Sequence, residues 1–511
     1  MSERSAFEAS QCAIVAALED GSACGARRPL KRIDTHMSHV FLGEGRAYKL
    51  KRSLRHPFAD MSSVEARRQA CVAELAVNRP LAPELYEAVL PVNRDPGGVI
   101  RIDGDGETVD WVVVMRRFPD AALLSELADA DRLTAEVVEE TAEVVAAFHA
   151  SLPPRPDLGH PADYRRIVAG LRETEADGAA ALGARPASEE LFNGLERELA
   201  RLAPLIEARR KAGWVRRGHG DLHLRNICLF DGRVTPFDAL EFDEALSTAD
   251  VIYDVAFLLM DLRARGLDAM ANLAMNRYWD AAGQPEAALA LLPLFMALRA
   301  TVRMAVAVEA GDLAQAARYR ELGLDLLRRS PPPLLAIGGL SGTGKSTLAK
   351  AVAAHVPGAC GTRVLRTDAI RKAVAHVEET DRLGEAAYDP AARATIYRVL
   401  AERARDALAA GAPVIADGTF RESASRMSIE DAAKGHVFVG LWLTAPAKVR
   451  AGRVTAREGD ASDATAKVVL AQVEPKDIGP AWRTLAADRT FDDLADEARR
   501  ILDAQLIGQP S

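Results

Sequence analysis

The feature that most constrains the fold of this chain is a glycine-rich segment near residue 340. An apolar run, LLAIGG, leads into the pattern G-x-x-x-x-G-K-S at residues 339–346, and the helix-forming run TLAKAVAAHV follows. Glycines at such a strand-to-helix turn let backbone N–H groups surround phosphate oxygens, and the helix N-terminus adds its positive dipole. The segment therefore predicts a phosphate-binding loop formed by Gly339, Ser341, Gly342, Thr343, Gly344, Lys345, Ser346 and Thr347.

Charged and hydroxyl side chains around this loop suggest their roles. Lys345 is expected to hold the β- and γ-phosphates of ATP, and Ser346 to offer its hydroxyl to Mg²⁺. Asp368 follows the strand-like run RVLRT, and Asp417 ends the run APVIAD. Ligands of open parallel sheets gather at the carboxyl ends of strands, so Asp417 is predicted to bind Mg²⁺ and Asp368 to act as a base. Asp368 has a second interpretation, as the N-cap of the helix AIRKAVAHV.

Several arginines follow the same part of the chain. Arg371 is expected to hold an anionic group, and Arg450, Arg453 and Arg457 recur at helical spacing. Such arginines close over phosphates as a lid, with Arg453 the predicted nucleotide ligand, or they form a solvated helix face. Most of residues 334–490 resemble the AAA-type P-loop kinases, similar to gluconate kinase, polynucleotide kinase and zeta-toxin kinases. The resemblance implies a parallel α/β sheet that binds ATP.

A second motif, HGDLHLRN at residues 219–226, has a different pattern. The spacing from Asp221 to Asn226 equals that of the kinase catalytic loop H-R-D-x-x-x-x-N, where the aspartate orients the acceptor hydroxyl and the asparagine binds Mg²⁺. One predicted hairpin later, Asp238 takes the position of a second metal ligand. The motif therefore predicts a base at Asp221 and a metal site at Asn226 and Asp238.

An ATP site of this kind also needs a strand lysine paired with a helix glutamate. The run RAYKLKR offers Lys49 and Lys51, which alternate onto one face of a strand, and Lys49 is preferred. Glu74 and Glu65 compete as the partner, and Glu74 is preferred because it lies nearer the turn LAPELY. An exposed, charged edge strand remains the structural alternative for the lysines.

These motifs resemble the aminoglycoside phosphotransferase and choline kinase family over residues 30–327. More narrowly, THMSHVFLGEGRAYKLKR with ELAVNRPLAPELY resembles uncharacterised bacterial proteins that fuse such a module to a P-loop kinase. The resemblance implies a bilobed, protein-kinase-like fold, with a small lobe at about 30–117 and a large lobe at about 118–327. It also implies a hinge at 115–118 that contacts adenine. One departure is the segment 34–38, where a glycine-rich loop would cover the phosphates but no glycine occurs.

A proline triplet at 331–333 separates the two resemblances. Prolines cannot continue the helical run that precedes them, so we predict two domains, 1–330 and 331–511. The first is expected to be a bilobed α+β kinase-like domain. The second is expected to be an α/β domain with a parallel sheet and the phosphate-binding loop.

Composition limits the class of protein. The 65 Lys and Arg residues are outnumbered by 73 Asp and Glu residues, and this acidic balance argues against nucleic acid as a partner. Five scattered cysteines without a C-x-x-C pair fit a reducing compartment. Neither a signal peptide nor a membrane-spanning apolar stretch is evident, so a cytoplasmic protein without a membrane partner is expected.

Together these features predict a bifunctional transferase with two ATP- and Mg²⁺-dependent kinase modules. Each would transfer the γ-phosphate to a hydroxyl of a small-molecule acceptor. Four alternatives stay open: one module feeds its product to the other, one module senses nucleotide and regulates the other, the second module is a nucleic-acid end kinase, or the first module phosphorylates protein. The glycine-free segment makes the first module the candidate sensor. The acceptors, the coupling of the modules and the oligomeric state are not predicted.

Overall fold

The computed structural model describes residues 3–56, 59–241, 244–377, 381–455 and 466–506. The chain forms two compact units, each made of two stretches. Unit 1 contains Met1–Tyr164 and Ile206–Asp261, and unit 2 contains Arg165–Leu205 and Leu262–Ser511. The domain boundary expected at the proline triplet stays a prediction.

Unit 1 begins with a helix, and most of the strands that follow form an antiparallel sheet. Its first elements are α1 (Glu3–Glu19), β1 (Lys31–Asp34), β2 (Ser38–Leu42), β3 (Arg46–Lys51), β4 (Arg55–His56), β5 (Ala59–Asp60), α2 (Val64–Asn78), β6 (Tyr86–Arg94), β7 (Ile100–Ile102) and β8 (Glu107–Arg116). The sheet order is β1-β2-β3-β8-β6-β7, and every neighbouring pair is antiparallel. The strand predicted for the run RAYKLKR is confirmed as β3.

Side chains of β3 alternate between the two faces of the sheet, and the two faces pack against different clusters. Leu50 packs into an apolar cluster with Phe41 and Val112. Ala47 points to the opposite face and packs with Tyr86 in a second cluster. Because side chains alternate with a period of two, Lys49 and Lys51 share the face of Ala47. This face carries the first candidate site.

The chain continues through mostly helical structure that includes two short pairs of strands. The elements are α3 (Leu124–Asp129), α4 (Ala135–Ser151), α5 (Pro161–Ala181), α6 (Glu189–Lys211), β9 (Val215–Arg217), β10 (Ile227–Phe230), β11 (Arg233–Pro236), α7 (Glu244–Ser247), β12 (Thr248–Asp250) and α8 (Val251–Ala264). Strand β10 pairs with β11, and β9 pairs with β12, both antiparallel. The HGDLHLRN segment lies between β9 and β10.

In unit 2, helices lead into a parallel sheet. The elements are α9 (Asp268–Ala281), α10 (Leu292–Glu309), α11 (Leu313–Leu327), β13 (Leu334–Gly339), α12 (Lys345–Ala353), β14 (Arg363–Arg366), α13 (Thr367–Val374), α14 (Pro390–Ala409), β15 (Val414–Asp417), α15 (Ser423–Ala432), β16 (Phe438–Thr444), α16 (Ala447–Thr455), α17 (Ala466–Ala471), β17 (Trp482–Ala486) and α18 (Phe491–Leu506). The strand order is β14-β15-β13-β16-β17, and all neighbours are parallel.

The central strand of this sheet explains its sequence. Every residue of β13 is buried, as expected for a strand covered by helices on both faces, and its run LLAIGG is accordingly apolar without alternation. Leu348 and Val352 of α12 pack into the same core as Leu335 and Ile337. The runs LLAIGG, RVLRT and APVIAD, singled out in the sequence, form strands β13, β14 and β15.

One segment contradicts the expectation that no stretch has membrane-spanning composition. Glu286–Glu309 contains a window of mean hydropathy 1.7, so by length and composition alone this segment could cross a membrane. The structure buries 78% of this window inside the protein, as for the core helix of a globular domain. The segment includes α10, whose buried face extends over almost its whole length.

Candidate active sites

The first candidate site lies in unit 1, where β3 faces α2. Lys49 Nζ donates to Glu74 Oε1 at 2.8 Å, and Lys51 Nζ contacts Oε2 of the same carboxylate. Glu74 is fully buried, and Lys49 and Lys51 are 8% and 1% exposed. Glu65, by contrast, is exposed and pairs with Arg68. One glutamate therefore binds both candidate lysines, and the alternative of an exposed edge strand is wrong.

Both lysines also contact carboxylates that follow β11. Lys49 Nζ donates to Asp238 Oδ1 at 2.5 Å, and Lys51 Nζ contacts Glu241. Burial would lower the pKa of Lys49, but Asp238 and Glu74 outweigh it and raise that pKa well above its ordinary value. Burial would also raise the pKa of Glu74, whereas the two lysines hold it at about 2. The result is an ion-pair network, which we call the lysine network: Lys49, Lys51, Glu74, Asp238 and Glu241.

The predicted catalytic loop brings its aspartate and asparagine together. Asn226 Nδ2 donates to the backbone oxygen of Asp221 at 3.0 Å and to its Oδ2 at 2.9 Å. Because the amide nitrogen is the donor in both bonds, the side-chain oxygen is the atom with which Asn226 would bind a cation. The Asp221 side chain is 39% exposed, so a substrate can reach it.

Buried polar groups hold this loop in shape. The carboxylate of Asp254 accepts the backbone N–H of His219 at 2.7 Å and of Gly220 at 2.9 Å. A Cβ atom on Gly218 would lie 2.5 Å from Asp254 Oδ2, so the close approach requires glycine. His219 Nε2 donates to the backbone oxygen of Phe237 at 2.9 Å, and burial lowers the pKa of this ring. Through these contacts, His219 helps to hold the loop in one conformation.

The glycine-free segment forms a short turn between β1 and β2. Thr35 N–H donates to Ser38 O at 2.9 Å, and Ser38 N–H donates to Thr35 Oγ1 at 3.0 Å. Arg52 Nη1 donates to Thr35 O at 3.0 Å. In place of a glycine-rich loop, the structure therefore has a turn whose two ends are held by side-chain hydrogen bonds.

The predicted hinge, residues 115–118, begins in the last two residues of β8 and continues beyond it. Met115 is buried in the cluster around Tyr86, and Arg117 N–H donates to Gly45 O at 3.0 Å. Phe118 packs edge-on against Phe237, with ring centroids 5.3 Å apart. This segment thus connects the sheet to the strand that leads into Asp238.

Two contacts of the first site were missed by the sequence analysis. Asp238 adopts a left-handed backbone conformation with φ of 62°, and its N–H donates to the Tyr86 hydroxyl at 3.1 Å. Asn78 Oδ1 accepts the next N–H, from Ala239, at 2.7 Å. A single sequence has no local signal for either contact, because the partners lie more than a hundred residues apart.

The second candidate site lies in unit 2 at the carboxyl end of β13. The loop contains three glycines with positive φ: Gly339, Gly342 and Gly344. A Cβ atom on Gly342 would lie 2.5 Å from the backbone oxygen of Arg450, so this turn requires glycine. Thr343 Oγ1 donates to Leu340 O at 2.9 Å, and Lys345 Nζ donates to the same oxygen at 3.2 Å. Thr347 follows in the first turn of α12.

A hydroxyl and a carboxylate meet beside this loop. Ser346 Oγ donates to Asp417 Oδ2 at 2.5 Å, and Arg366 Nε lies 3.9 Å from the same carboxylate. Asp417 is 4% exposed, and burial raises its pKa. Hard oxygen donors of this kind suit Mg²⁺. In the part of the chain that the structure describes, no three His, Cys, Asp or Glu side chains form a metal-binding cluster.

A cavity of about 330 Å³ connects the loop with the ends of β14 and β15. Seven of the predicted residues line it: Ser341, Gly342, Lys345, Ser346, Asp368, Arg371 and Asp417. The structure therefore brings together the phosphate loop, the proposed metal ligands and the proposed base.

Asp368 is held by an arginine and is not a helix cap. Arg371 Nη1 donates to Asp368 Oδ1 at 2.7 Å, and the Arg371 guanidinium lies 4.7 Å from the centre of the Tyr388 ring. Helix α13 begins at Thr367, its N-cap is Arg366, and no side chain caps it. The N-cap interpretation of Asp368 is wrong because the helix begins before this residue and includes it in its first turn.

The arginines expected to form a lid bind backbone carbonyl groups. Arg450 is 4% exposed and its Nε donates to Ala445 O at 3.1 Å, so a solvated face is excluded for it. Arg453 donates to Ala487 O at 2.8 Å and to Thr343 O of the loop at 3.4 Å. Arg457 lies outside the described residues.

Gln472 is a further residue that the sequence analysis missed. Its Oε1 accepts the backbone N–H of Ser341 at 2.9 Å, and its Nε2 donates to Ser341 Oγ at 3.0 Å. The side chain also lines the cavity. It therefore occupies a backbone donor of the loop, and no local pattern marks it in the sequence.

Comparisons with known proteins agree with this division into two sites. The family described as "Phosphotransferase enzyme family" matches residues 40–291, and the family described as "AAA domain" matches residues 334–475. The fold class is therefore confirmed, and the chain is a transferase of the kinase class with a nucleotide-binding P-loop. Uncharacterised proteins of Mycobacterium tuberculosis and Mycobacterium bovis are each 30% identical over 457 residues. The match covers 86% of this chain and 88% of each relative.

The chain belongs to the family of these mycobacterial proteins. In this chain, a module of the phosphotransferase family is followed by a P-loop module. Solved structures that resemble parts of the chain include a gluconokinase from Sinorhizobium meliloti. It is 22% identical, the match covers 35% of this chain and 96% of that chain, and the TM-score is 0.26. A choline kinase from Cryptosporidium parvum has 13% identity, 58% and 88% coverage and a TM-score of 0.39. A thermostable mutant of the aminoglycoside phosphotransferase APH(4)-Ia is 15% identical, the match covers 60% of this chain and 96% of that chain, and the TM-score is 0.38.

Proposed function

We propose that the protein has two kinase sites, each of which uses ATP and Mg²⁺ to phosphorylate a hydroxyl of a small molecule. The observation that carries this proposal is a common arrangement at two unrelated places in the chain. Each site combines a lysine for phosphate, a carboxylate suited to Mg²⁺ and a second, partly exposed carboxylate. These residues are Lys49, Asp238 and Asp221 at the first site, and Lys345, Asp417 and Asp368 at the second.

The side chains present fit the group that such a reaction needs. Asn226 and Asp238 offer amide and carboxylate oxygens at the first site, and Ser346 and Asp417 offer hydroxyl and carboxylate oxygens at the second. All are the hard oxygen ligands that Mg²⁺ prefers. When bound, the Mg²⁺–ATP complex supplies the transferable phosphoryl group and offsets the charge that develops on it.

At the first site, Asp221 would orient the acceptor hydroxyl and take its proton. Its carboxylate is held by Asn226 Nδ2 at 2.9 Å, and His223 Nε2 lies 3.4 Å away. Lys49 contacts Glu74 and Asp238 together, and Glu74 would keep its ammonium group in place when Asp238 turns to a metal ion. The positive charge of Lys49 would then act on the phosphates.

At the second site, Asp368 would take the proton of the acceptor. Its side chain is 34% exposed and Arg371 fixes one carboxylate oxygen, which leaves the other for the hydroxyl. Lys345 and the backbone of the glycine loop would hold the phosphates on the opposite side of the cavity. Positioning and electrostatic stabilisation account for most of the catalysis of phosphoryl transfer, and both sites provide these elements.

The test is ATP consumption by the full chain with a panel of sugars, nucleosides, aminoglycosides and other hydroxylated metabolites. Asp221→Asn should lower acceptor-stimulated turnover at the first site about 10²- to 10⁴-fold. Asp368→Asn should lower acceptor-stimulated turnover at the second site by the same factor. Asp231→Asn, in an exposed hairpin turn, is the matched control and should keep full activity. If turnover with every acceptor survives both active-site variants, the proposed roles are wrong.

One observation favours a second candidate function, in which the first module senses nucleotide and regulates the second. The turn that would cover the phosphates has no glycine and is fastened by Thr35, Ser38 and Arg52. Under this alternative, calorimetry would detect Mg²⁺–ATP at the first site while Asp221→Asn leaves all ATP turnover unchanged.

A further inference from the structure

The second site depends on an edge strand that a helix completes. Strand β14 ends the five-stranded sheet, and edge strands carry backbone groups without a neighbouring strand. Helix α9, in the same unit, supplies side-chain amides instead. Asn276 Oδ1 accepts the N–H of Val364 at 2.8 Å, and its Nδ2 donates to Thr362 O at 3.0 Å. One helical turn earlier, Asn272 Nδ2 donates to Cys360 O at 2.6 Å and to Thr362 O at 2.9 Å.

A buried arginine ties the same strand to the end of α9 and the segment that follows. Arg363 is fully buried, and its Nε donates to Glu286 Oε2 at 3.0 Å while its Nη2 contacts Asp280. Arg363 Nη1 also donates to Asn276 Oδ1 at 3.0 Å. Arg403 of α14 contacts the carboxylate of Glu286 as well. Two arginines thus face two carboxylates, which satisfies the requirement that buried charges be paired.

These contacts fix where the strand lies, beyond covering it. Backbone pairing with β15 fixes β14 on its other side. Apolar burial is non-directional, so an apolar helix would cover the free edge without holding the helix at one position along the strand. An amide that binds a backbone N–H and a backbone C=O, together with a buried arginine in two ion pairs, permits one position along the strand. Specific hydrogen bonds therefore set the register of β14 on α9.

The position of this strand matters because β14 ends at Arg366, two residues before Asp368. Catalysis is sensitive to misplacement of reacting groups by about 1 Å. Helix α9 lies within the residues matched by the phosphotransferase family, whereas β14 lies within the AAA match. Residues from the first family therefore contact the strand that carries the proposed base of the second.

We infer that the contacts of Asn272, Asn276, Asp280 and Glu286 with the β14 segment, here called the α9 junction, position Asp368 for catalysis. None of these four residues lines the cavity of the second site, so they are positioning residues. This inference rests on the proposed function of the second site, because it says that the junction positions the proposed base, Asp368, and does not contribute to nucleotide binding.

The first arm of the test is amide hydrogen exchange of the full chain. Asn276→Leu has nearly the same volume and cannot make the hydrogen bonds, so exchange of the Val364 amide should accelerate about tenfold. Asn276→Asp keeps the acceptor and should accelerate it less, which provides a milder variant if the leucine variant folds poorly. Asn193→Leu, at an exposed position on α6, is the control. Wild-type exchange at Val364 in Asn276→Leu would overturn the inference.

The second arm separates positioning from general stability. Slow hydrolysis of ATP, with water as the acceptor, is measured in an Asp221→Asn background that silences the first site. Asn276→Leu should lower kcat about tenfold and leave the KM for ATP unchanged. In an Asp368→Asn background the same change should have no further effect on kcat, because the residue that it positions is already disabled.

The outcomes distinguish the inference from the function on which it rests. An equal loss of kcat in both backgrounds, or a parallel rise in the KM for ATP, would overturn the positioning role. A wild-type protein that binds Mg²⁺–ATP but never turns it over would overturn the proposed function and with it the assignment to Asp368. In that case the exchange measurement would still decide whether the junction fixes β14.

Discussion

The two candidate sites place positive charge for phosphate by different means. At the first, Glu74 shares its carboxylate between Lys49 and Lys51, so geometry is set by buried ion pairs. At the second, a loop of left-handed glycines curls beside Lys345, so geometry is set by the backbone. A network of side chains loses its geometry when its charges no longer balance, whereas a backbone loop loses its function when a Cβ atom intrudes or when Lys345 is removed. The difference predicts unequal responses to substitution.

The largest effect is expected for Glu74→Gln. The change removes the charge of the carboxylate that contacts both lysines and leaves two buried ammonium groups with fewer partners. Breaking a buried ion pair costs about 3 to 5 kcal/mol of unfolding free energy, measured by chemical denaturation. Glu65→Gln, at an exposed position on the same helix, should not change the denaturation midpoint. Equal behaviour of the two variants would contradict the lysine network.

The same residue predicts a pH dependence. The folded pKa of Glu74 is about 2, below its ordinary value of 4.5, because the two lysines outweigh the effect of burial. The unfolded chain therefore binds this proton more readily, and the stability contributed by Glu74 is fully present above about 4.5 and disappears as the pH falls toward 2. The difference in unfolding free energy between wild type and Glu74→Gln should shrink through this range. A difference that grows with acidification would show the opposite sign.

A smaller effect is expected at the second site for Lys345→Ala. Loss of the one lysine aimed along the loop should weaken binding of a non-hydrolysable ATP analogue with Mg²⁺ about 10²-fold at this site, measured by titration calorimetry. Unfolding should change little, since Lys345 is only partly buried. Lys350→Ala, exposed on the same helix, is the control. A denaturation midpoint that falls as far as that of Glu74→Gln would erase the contrast between the sites.

The smallest effect is expected at Gln472, whose amide occupies the N–H of Ser341. Gln472→Ala removes a competitor for that donor and should tighten binding of the same ATP analogue about threefold, the equivalent of one modest net hydrogen bond. Gln472→Glu keeps the acceptor, adds a negative charge near the phosphates and should weaken binding. If the alanine variant also binds more weakly, Gln472 supports the loop rather than competing with phosphate.

Much of the fold and the core of both sites could be predicted because their residues are close in sequence. The phosphate loop and the step from Asp221 to Asn226 are local patterns whose spacing encodes the geometry. The strands of the parallel sheet were recognisable because buried parallel strands are apolar without alternation. Which of Lys49 and Lys51 binds Glu74 had no local answer, and the structure shows that both do.

The remaining features depend on contacts between distant segments. Lys51 and Glu241 are 190 residues apart, and Asn276 and Val364 are 88 residues apart. A single sequence contains no signal for such pairs, because only the folded chain brings them together. The N-cap expectation for Asp368 failed for a related reason, since helix boundaries shift by a residue or two with their tertiary surroundings.

The amide pairing of β14 has a practical consequence for anyone who expresses the P-loop part alone. A recombinant fragment that starts at the proline triplet keeps the phosphate loop but removes Asn276, Asp280 and Glu286. Arg363 would then lose two carboxylates, and the backbone of Val364 would become available to a strand of another molecule. Exposed strand edges of this kind promote self-association. A fragment intended to stay monomeric in solution should therefore begin upstream of Asp268.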